Sequence, residues 1–229
     1  AVTREAALAI DPDDVLSRQK RIVCLGRIGL FEEAQTAVES LTRDYPKDPE
    51  AWALAGRVAK ERWIRRWRSG GAGAAPTPAQ MREAAADEEA LLVAAIAPYR
   101  AAFAADARHY YSGINAVALM ALRRHLGGDC DEAALQLIAG GVRWACASAE
   151  QRSPADYWVL SSAAELALIF EPLDKVRRRF KAAIAVANRD WFALDSTRQT
   201  LLLARDLEFR PEETASALAL VEREIAEAR

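Results

Sequence analysis

His109, His125, Cys24, Cys130, Cys146 and the basic stretch from Arg57 to Arg68 are the residues of this chain whose types could do chemistry. The two histidines have neither an H-E-x-x-H pairing nor a cysteine at metal-ligand spacing. Neither has an adjacent Asp or Glu to set its tautomer. Three cysteines without a C-x-x-C pair fit reduced thiols that pack between helices, in a cytoplasmic protein, better than a secreted disulfide framework. No serine lies in G-x-S-x-G, and the chain contains no G-x-G-x-x-G loop, H-R-D, D-F-G or Walker A sequence. The acidic residues are spread as solvated helix faces. These observations predict a protein that is not an enzyme and uses no metal or cofactor.

The basic stretch is more informative. From Pro49 to Ser69, Trp52, Gly56, Ala59, Trp63 and Trp67 recur on one face of a helix, with Arg57, Lys60, Arg65, Arg66 and Arg68 on the others. The aromatic stripe predicts core. The cations either are solvated and paired within the molecule or clamp the carboxylates of a partner. A second run, Arg177-Arg178-Arg179 with Lys181, reads as a solvated face.

The elements that would position these residues are helices. In 229 residues there are 50 alanines, 11 glycines and 9 prolines, with 28% of residues charged and few β-branched runs, which points to an all-α chain. The net charge of −2 gives no whole-molecule attraction to nucleic acid or anionic lipid. The longest stretch without a charged residue, from His109 through Leu122, falls short of the roughly 20 apolar residues a membrane span needs. The chain starts at Ala1 without an initiator methionine, which reads as a processed product or a segment of a longer protein.

Internal repetition gives the architecture. Gly29-Leu30-Phe31-Glu32-Glu33-Ala34, then Tyr45-Pro46 and Pro49-Glu50-Ala51-Trp52 with Gly56 four residues later, resembles the tetratricopeptide repeat. The pattern returns at Gly128-Asp129-Cys130-Asp131-Glu132-Ala133 and around Tyr157 to Ala164. The resemblance implies a right-handed superhelix of antiparallel helix pairs in one domain. The repeats are expected at about 13–46, about 49–106 with an insert at 69–88, about 108–149 and about 153–188, followed by capping helices at 190–229. In such repeats Trp52, Tyr111 and Tyr157 fill holes left by small residues. Residues 69 to about 80 read as a mobile, dispensable Gly/Ala/Pro-rich loop. Extra helical turns follow from Ala79, with Pro98 expected to kink that helix. Gly113 should admit a neighbouring backbone, and Asn115 should be buried and bonded to the loop entering its helix.

The same resemblance places its groove-lining positions at Glu50, Arg57, Lys60, His109, Ser112, Trp158, Ser162 and Glu165, with Gln19, Val23 and Ala116 as further candidates. Arg57 and Lys60 are expected to lay their stems along the groove with hydrated charges, so that replacing both by Ala leaves stability unchanged.

Leu54-Ala55-Gly56-Arg57 with Lys60, Tyr99-Arg100-Ala101-Ala102-Phe103, and Ser112-Gly113-Ile114-Asn115 together resemble the central TRAF-binding regulatory region of the apoptosis-signal-regulating kinases. That resemblance spans about residues 15 to 190. It implies a cytoplasmic signalling scaffold whose partner is another protein, a peptide or a neighbouring domain of the same chain. The alternatives are a basic helical-repeat binder of nucleic acid, which the net acidic charge disfavours, and an oligomerisation or autoinhibitory module of a larger effector. Oligomeric state is left open.

Overall fold

Aspartates punctuate the chain. Asp14, Asp131, Asp156 and Asp190 each accept backbone N–H groups at the start of a helix, satisfying donors that the first turn cannot pair. In this computed structural model, which describes residues 14–68 and 76–227, the helices are α1 (Val15–Ile28), α2 (Phe31–Asp44), α3 (Pro49–Arg68), α4 (Pro78–Asp87), α5 (Glu89–Ala105), α6 (Tyr110–His125), α7 (Glu132–Arg152), α8 (Tyr157–Phe170), α9 (Leu173–Ala185), α10 (Trp191–Asp206) and α11 (Pro211–Glu227). No strand occurs among the described residues, and no helix there is long and apolar enough to cross a membrane.

Neighbouring helices pack as pairs: α1 with α2, α3 with α5, α6 with α7, α8 with α9 and α10 with α11. The second helix of one pair then packs on the first helix of the next, as α2 on α3, α5 on α6 and α7 on α8. Helices α1, α3, α6 and α8 also touch in succession, forming an inner layer. The core follows this order. Ile22, Leu41 and Val58 close its first part, residues of α3 to α8 the middle, and Tyr157, Phe180, Leu194 and Val221 the last. Each such fully buried large side chain contributes on the order of 1.5–3 kcal/mol.

Two glycines set the spacing of the middle. A Cβ on Gly56 would sit 2.6 Å from the Tyr99 ring, and one on Gly113 would sit 2.5 Å from Val142 Cγ2 and 2.7 Å from the Phe103 ring. The neighbours admitted by Gly113 are therefore side chains, not the backbone expected from sequence. Trp63 and Trp67 are buried as the stripe predicts, whereas Trp52 is half-buried, donating its indole N–H to Pro46 O at 2.9 Å.

The insert differs from expectation. Residues 69–75, most of the anticipated loop, lie outside the described residues. Thr77 caps a separate helix through a reciprocal bond with Gln80, and Ala85 O of that helix accepts the Trp63 indole N–H at 3.3 Å. The extra turns thus form their own element, α4, which ends at Glu88, while Pro98 lies inside α5.

The last junction breaks the packing rule. It is α11, not α10, that packs along α9. The turn before α10 holds Asn188 at φ 50° and Arg189 at φ 58°, and the turn after it holds Glu208 at φ 50° and Arg210 at φ 45°. Left-handed non-glycine residues each cost on the order of 1–2 kcal/mol. Anchors offset that cost after α10: Arg210 donates to Ile169 O at 3.2 Å, and Thr214 Oγ1 donates to Phe209 O at 2.7 Å.

Candidate partner-binding groove

Polar side chains of α3, α6 and α8 face one another across the inner layer. Lys60 Nζ on α3 donates to Asn115 Oδ1 on α6 at 2.7 Å and lies 5.8 Å from the centre of the Tyr99 ring. Asn115 is only half-buried, and its amide N–H donates to Tyr111 O at 2.9 Å rather than to the entering loop. One turn earlier, Arg57 Nε donates to Glu61 Oε1 at 2.9 Å. At the rim, His109 holds Glu50 Oε2 at 3.2 Å through Nε2 and Ser112 Oγ at 3.0 Å through Nδ1.

Tyr111 corrects the sequence reading. The residue expected to plug a hole is 36% exposed and stands in the groove, edge-on to Tyr99 and His109. Its neighbour Tyr110 packs on the core instead. Ser112 and Ser162 are buried, at 0% and 7% exposed, and stand behind the surface where they had been placed on it. Ser112 donates to His109 O and so fixes the loop that carries the imidazole. Ala116 is fully buried, Val23 is half-buried, and Gln19 turns to Asp48.

The charges of Arg57 and Lys60 are not simply hydrated tips. Burial lowers the Lys60 ammonium below the usual lysine range, with Glu165 pulling it back up and Arg57 adding to the fall. Burial likewise pushes the Glu165 carboxyl up, to about 7, with Lys60 moderating the rise. Although the two feel each other, they form no ion pair within contact distance. Beneath them, the Tyr99 hydroxyl is buried beside Tyr111 and Arg57; burial, with Tyr111 adding to it, raises it well above the usual phenol range. Removing Lys60 would strand Asn115 Oδ1 and Glu165, so the expectation of an unchanged stability does not hold for that residue.

At the far side α10 reaches across. Arg68 on α3 meets Asp206 at 2.6 Å, Arg82 on α4 meets Glu208 at 3.1 Å, and His125 Nε2 on α6 meets Leu207 O at 2.8 Å. The Arg27 guanidinium of α1 lies 4.9 Å over the Phe192 ring. Trp158, 44% exposed, meets Phe192 of α10 and its own neighbour Tyr157 edge-on, so it packs towards α10. A half-open cavity lies elsewhere. It holds about 240 Å³ beside Glu89, Leu92 and Arg123, and its Arg123 already binds Glu89 at 2.7 Å.

The model of the family described as Tetratricopeptide Repeats-Sensor matches residues 2–120, more than half of the sequence. The chain belongs to this family. No curated protein matches it. Tetratricopeptide-repeat domains generally serve as scaffolds for protein–protein interaction and are typically not enzymes. Within the matched segment, the residues quoted for the kinase resemblance touch one another: Gly56 seats Tyr99, Gly113 seats Phe103, and Lys60 holds Asn115. Sequence reasoning picked out each of them but assigned Tyr99 and Asn115 no place in the groove.

Proposed function

We propose that this tetratricopeptide-repeat chain is a non-enzymatic interaction module. Its inner face captures an acidic segment of a partner protein, or of a neighbouring domain of its own chain. Arg57 and Lys60 supply the charge, Glu50 and His109 form the rim, and Trp158 offers an aromatic anchor at the mouth. The observation that carries this reading is the convergence of Lys60, Arg57 and Tyr111 on one half-open inner surface drawn from two successive pairs. The kinase resemblance supports a regulatory setting for such a module.

The rival reading as a nucleic-acid binder loses ground because the basic side chains are spent internally. Arg66 pairs with Glu88, Arg68 with Asp206, Arg178 with Asp174 and Arg179 with Glu150. An autoinhibitory reading has a specific observation in its favour, the contacts of α10 with α1, α3 and α4. One experiment separates the proposal from the nucleic-acid reading. A library of acidic, neutral and basic peptides is screened beside single-stranded RNA and duplex DNA at 50 and 300 mM salt. Acidic peptides are expected to bind, with Arg57→Gln reducing their affinity by at least tenfold. Preferential binding of nucleic acid with a steep salt dependence would overturn the proposal.

A further inference from the structure

The outer surfaces of the second helices differ along the array. Glu32, Glu33 and Glu39 are exposed on α2, and Arg177, Arg178 and Lys181 on α9, so those faces are charged. The outer face of α7 is apolar. Ala133, Leu137, Gly140, Trp144 and Ala147 are all exposed along it, Leu137 at 77% and Trp144 at 60%. A Cβ on Gly140 would meet no atom within 4 Å, so backbone lies open between the two large side chains. The five follow steps of four, three, four and three residues, the a/d spacing of a seam that packs against one other helix. On its opposite face α7 already buries Leu135, Ala139, Val142 and Cys146 in its own domain. The seam is a second apolar face, and no element among the described residues covers it.

Size and charge decide what covers it. A fitting helix must bring small residues to Leu137 and Trp144, and large ones to Gly140 and Ala133. Helix α7 of a second copy, run antiparallel, does both, and the resulting two-fold contact is self-complementary. Two registers set large against small. In one, Trp144 meets Gly140 of the second copy and Leu137 meets Ala147, but Arg143 then lies beside Arg143 of the second copy. In the other, Trp144 meets Ala133, Leu137 meets Gly140, and Arg143 lies across from Gln136 and Glu132, whose side chains adjoin at 2.9 Å on that flank. Charge selects the second register. Arg143 is exposed, and its charged neighbour Glu171 is already held by Lys175. Glu132 holds Arg124 through Oε2, which leaves Oε1 towards this flank. The ends of α7 agree: Asp129 and Glu132 are exposed at its start and Arg152 at its last turn, so an antiparallel copy brings each acidic start towards a basic end.

We propose that a second copy of this chain docks on this face, α7 antiparallel to α7, with Trp144 of each copy over Ala133 of the other and Leu137 over Gly140. Arg143 of each copy reaches Glu132 of the other. The contact does not depend on the groove reading, because the groove belongs to the inner layer of α1, α3, α6 and α8, and α7 lies outside that layer. Both grooves stay open in the dimer, which makes the assembly bivalent.

The test is sedimentation equilibrium of the full chain from about 5 to about 300 µM, which spans the range of weak and transient interfaces. The mass is expected to rise from the 25.1 kDa of one chain towards twice that value. Gly140→Glu should stay monomeric throughout. Its side chain enters open space and glutamate favours helix over glycine, so circular dichroism should show an intact fold. Arg143→Glu should weaken the dimer at least about threefold, and Lys181→Glu, on the charged face of α9, should leave it unchanged. In a mixture of isotope-labelled and unlabelled chains, an intermolecular nuclear Overhauser effect should connect the Trp144 indole with the Ala133 methyl. Wild type that stays monomeric over the whole range overturns the second copy as occupant and leaves the face to a different protein. A dimer that survives Gly140→Glu is held elsewhere, which overturns the proposal. An indole contact with Gly140 instead of Ala133 overturns the register and the charge argument behind it.

Discussion

Replacing Glu165 by Gln should stabilise the protein in alkaline solution and do little in acid. The carboxyl's pKa rises from the ordinary 4.5 to about 7, chiefly because burial penalises the ionised form, with Lys60 only partly offsetting it. A tenfold change in protonation corresponds to about 1.4 kcal/mol, so ionising Glu165 in the folded protein costs on the order of 3 kcal/mol relative to the unfolded chain. The sign follows from proton binding. The folded state holds this proton more tightly, so its advantage is fully present below about pH 4.5 and is lost as pH rises through about 7. Glutamine mimics the protonated form and never incurs the loss. Urea unfolding of wild type and Glu165→Gln at pH 4 and pH 8 should show a difference under about 0.5 kcal/mol in acid and a gain of about 3 kcal/mol in base. A variant less stable than wild type at pH 8 would mean that the Lys60–Glu165 attraction outweighs the burial penalty, and the account of the groove electrostatics would fail.

Gly56→Ala should destabilise by about 1–3 kcal/mol in thermal unfolding, since its Cβ would press into the Tyr99 ring. Asp206→Asn should speed hydrogen exchange in the last turns of α10 without changing exchange in α2, because it removes the Arg68 contact; unchanged exchange would mean that apolar packing alone holds α10. Trp158→Ala should leave the melting temperature within a few degrees of wild type while reducing acidic-peptide capture, and a large fall in melting temperature would recast Trp158 as structural.

The helices were legible because their signals are local. The turn pattern before Ala34 and the tryptophan stripe of α3 each act within a few residues. Tyr110 and Tyr111 were harder, because adjacent aromatics give periodicity no means of telling which one is core. Glu165 was placed on the groove by position alone. Its electrostatic influence on Lys60 links helices far apart in the chain, which no local pattern encodes. The course of α10 was equally hidden. It depends on Asn188, Arg189, Glu208 and Arg210 adopting left-handed backbone, which only asparagine among them favours.

An open helical array unfolds by fraying, because each pair depends only on its neighbours. Contacts between α10 and α1, α3 and α4 tie residues near the start of the described chain to residues near its end. Those contacts raise the contact order, so the last step of folding is a long-loop closure and the chain should fold more slowly than an open array of the same length. Once formed, they make the end pairs share their stability, so a lesion in α1 should be felt as lost protection in α10.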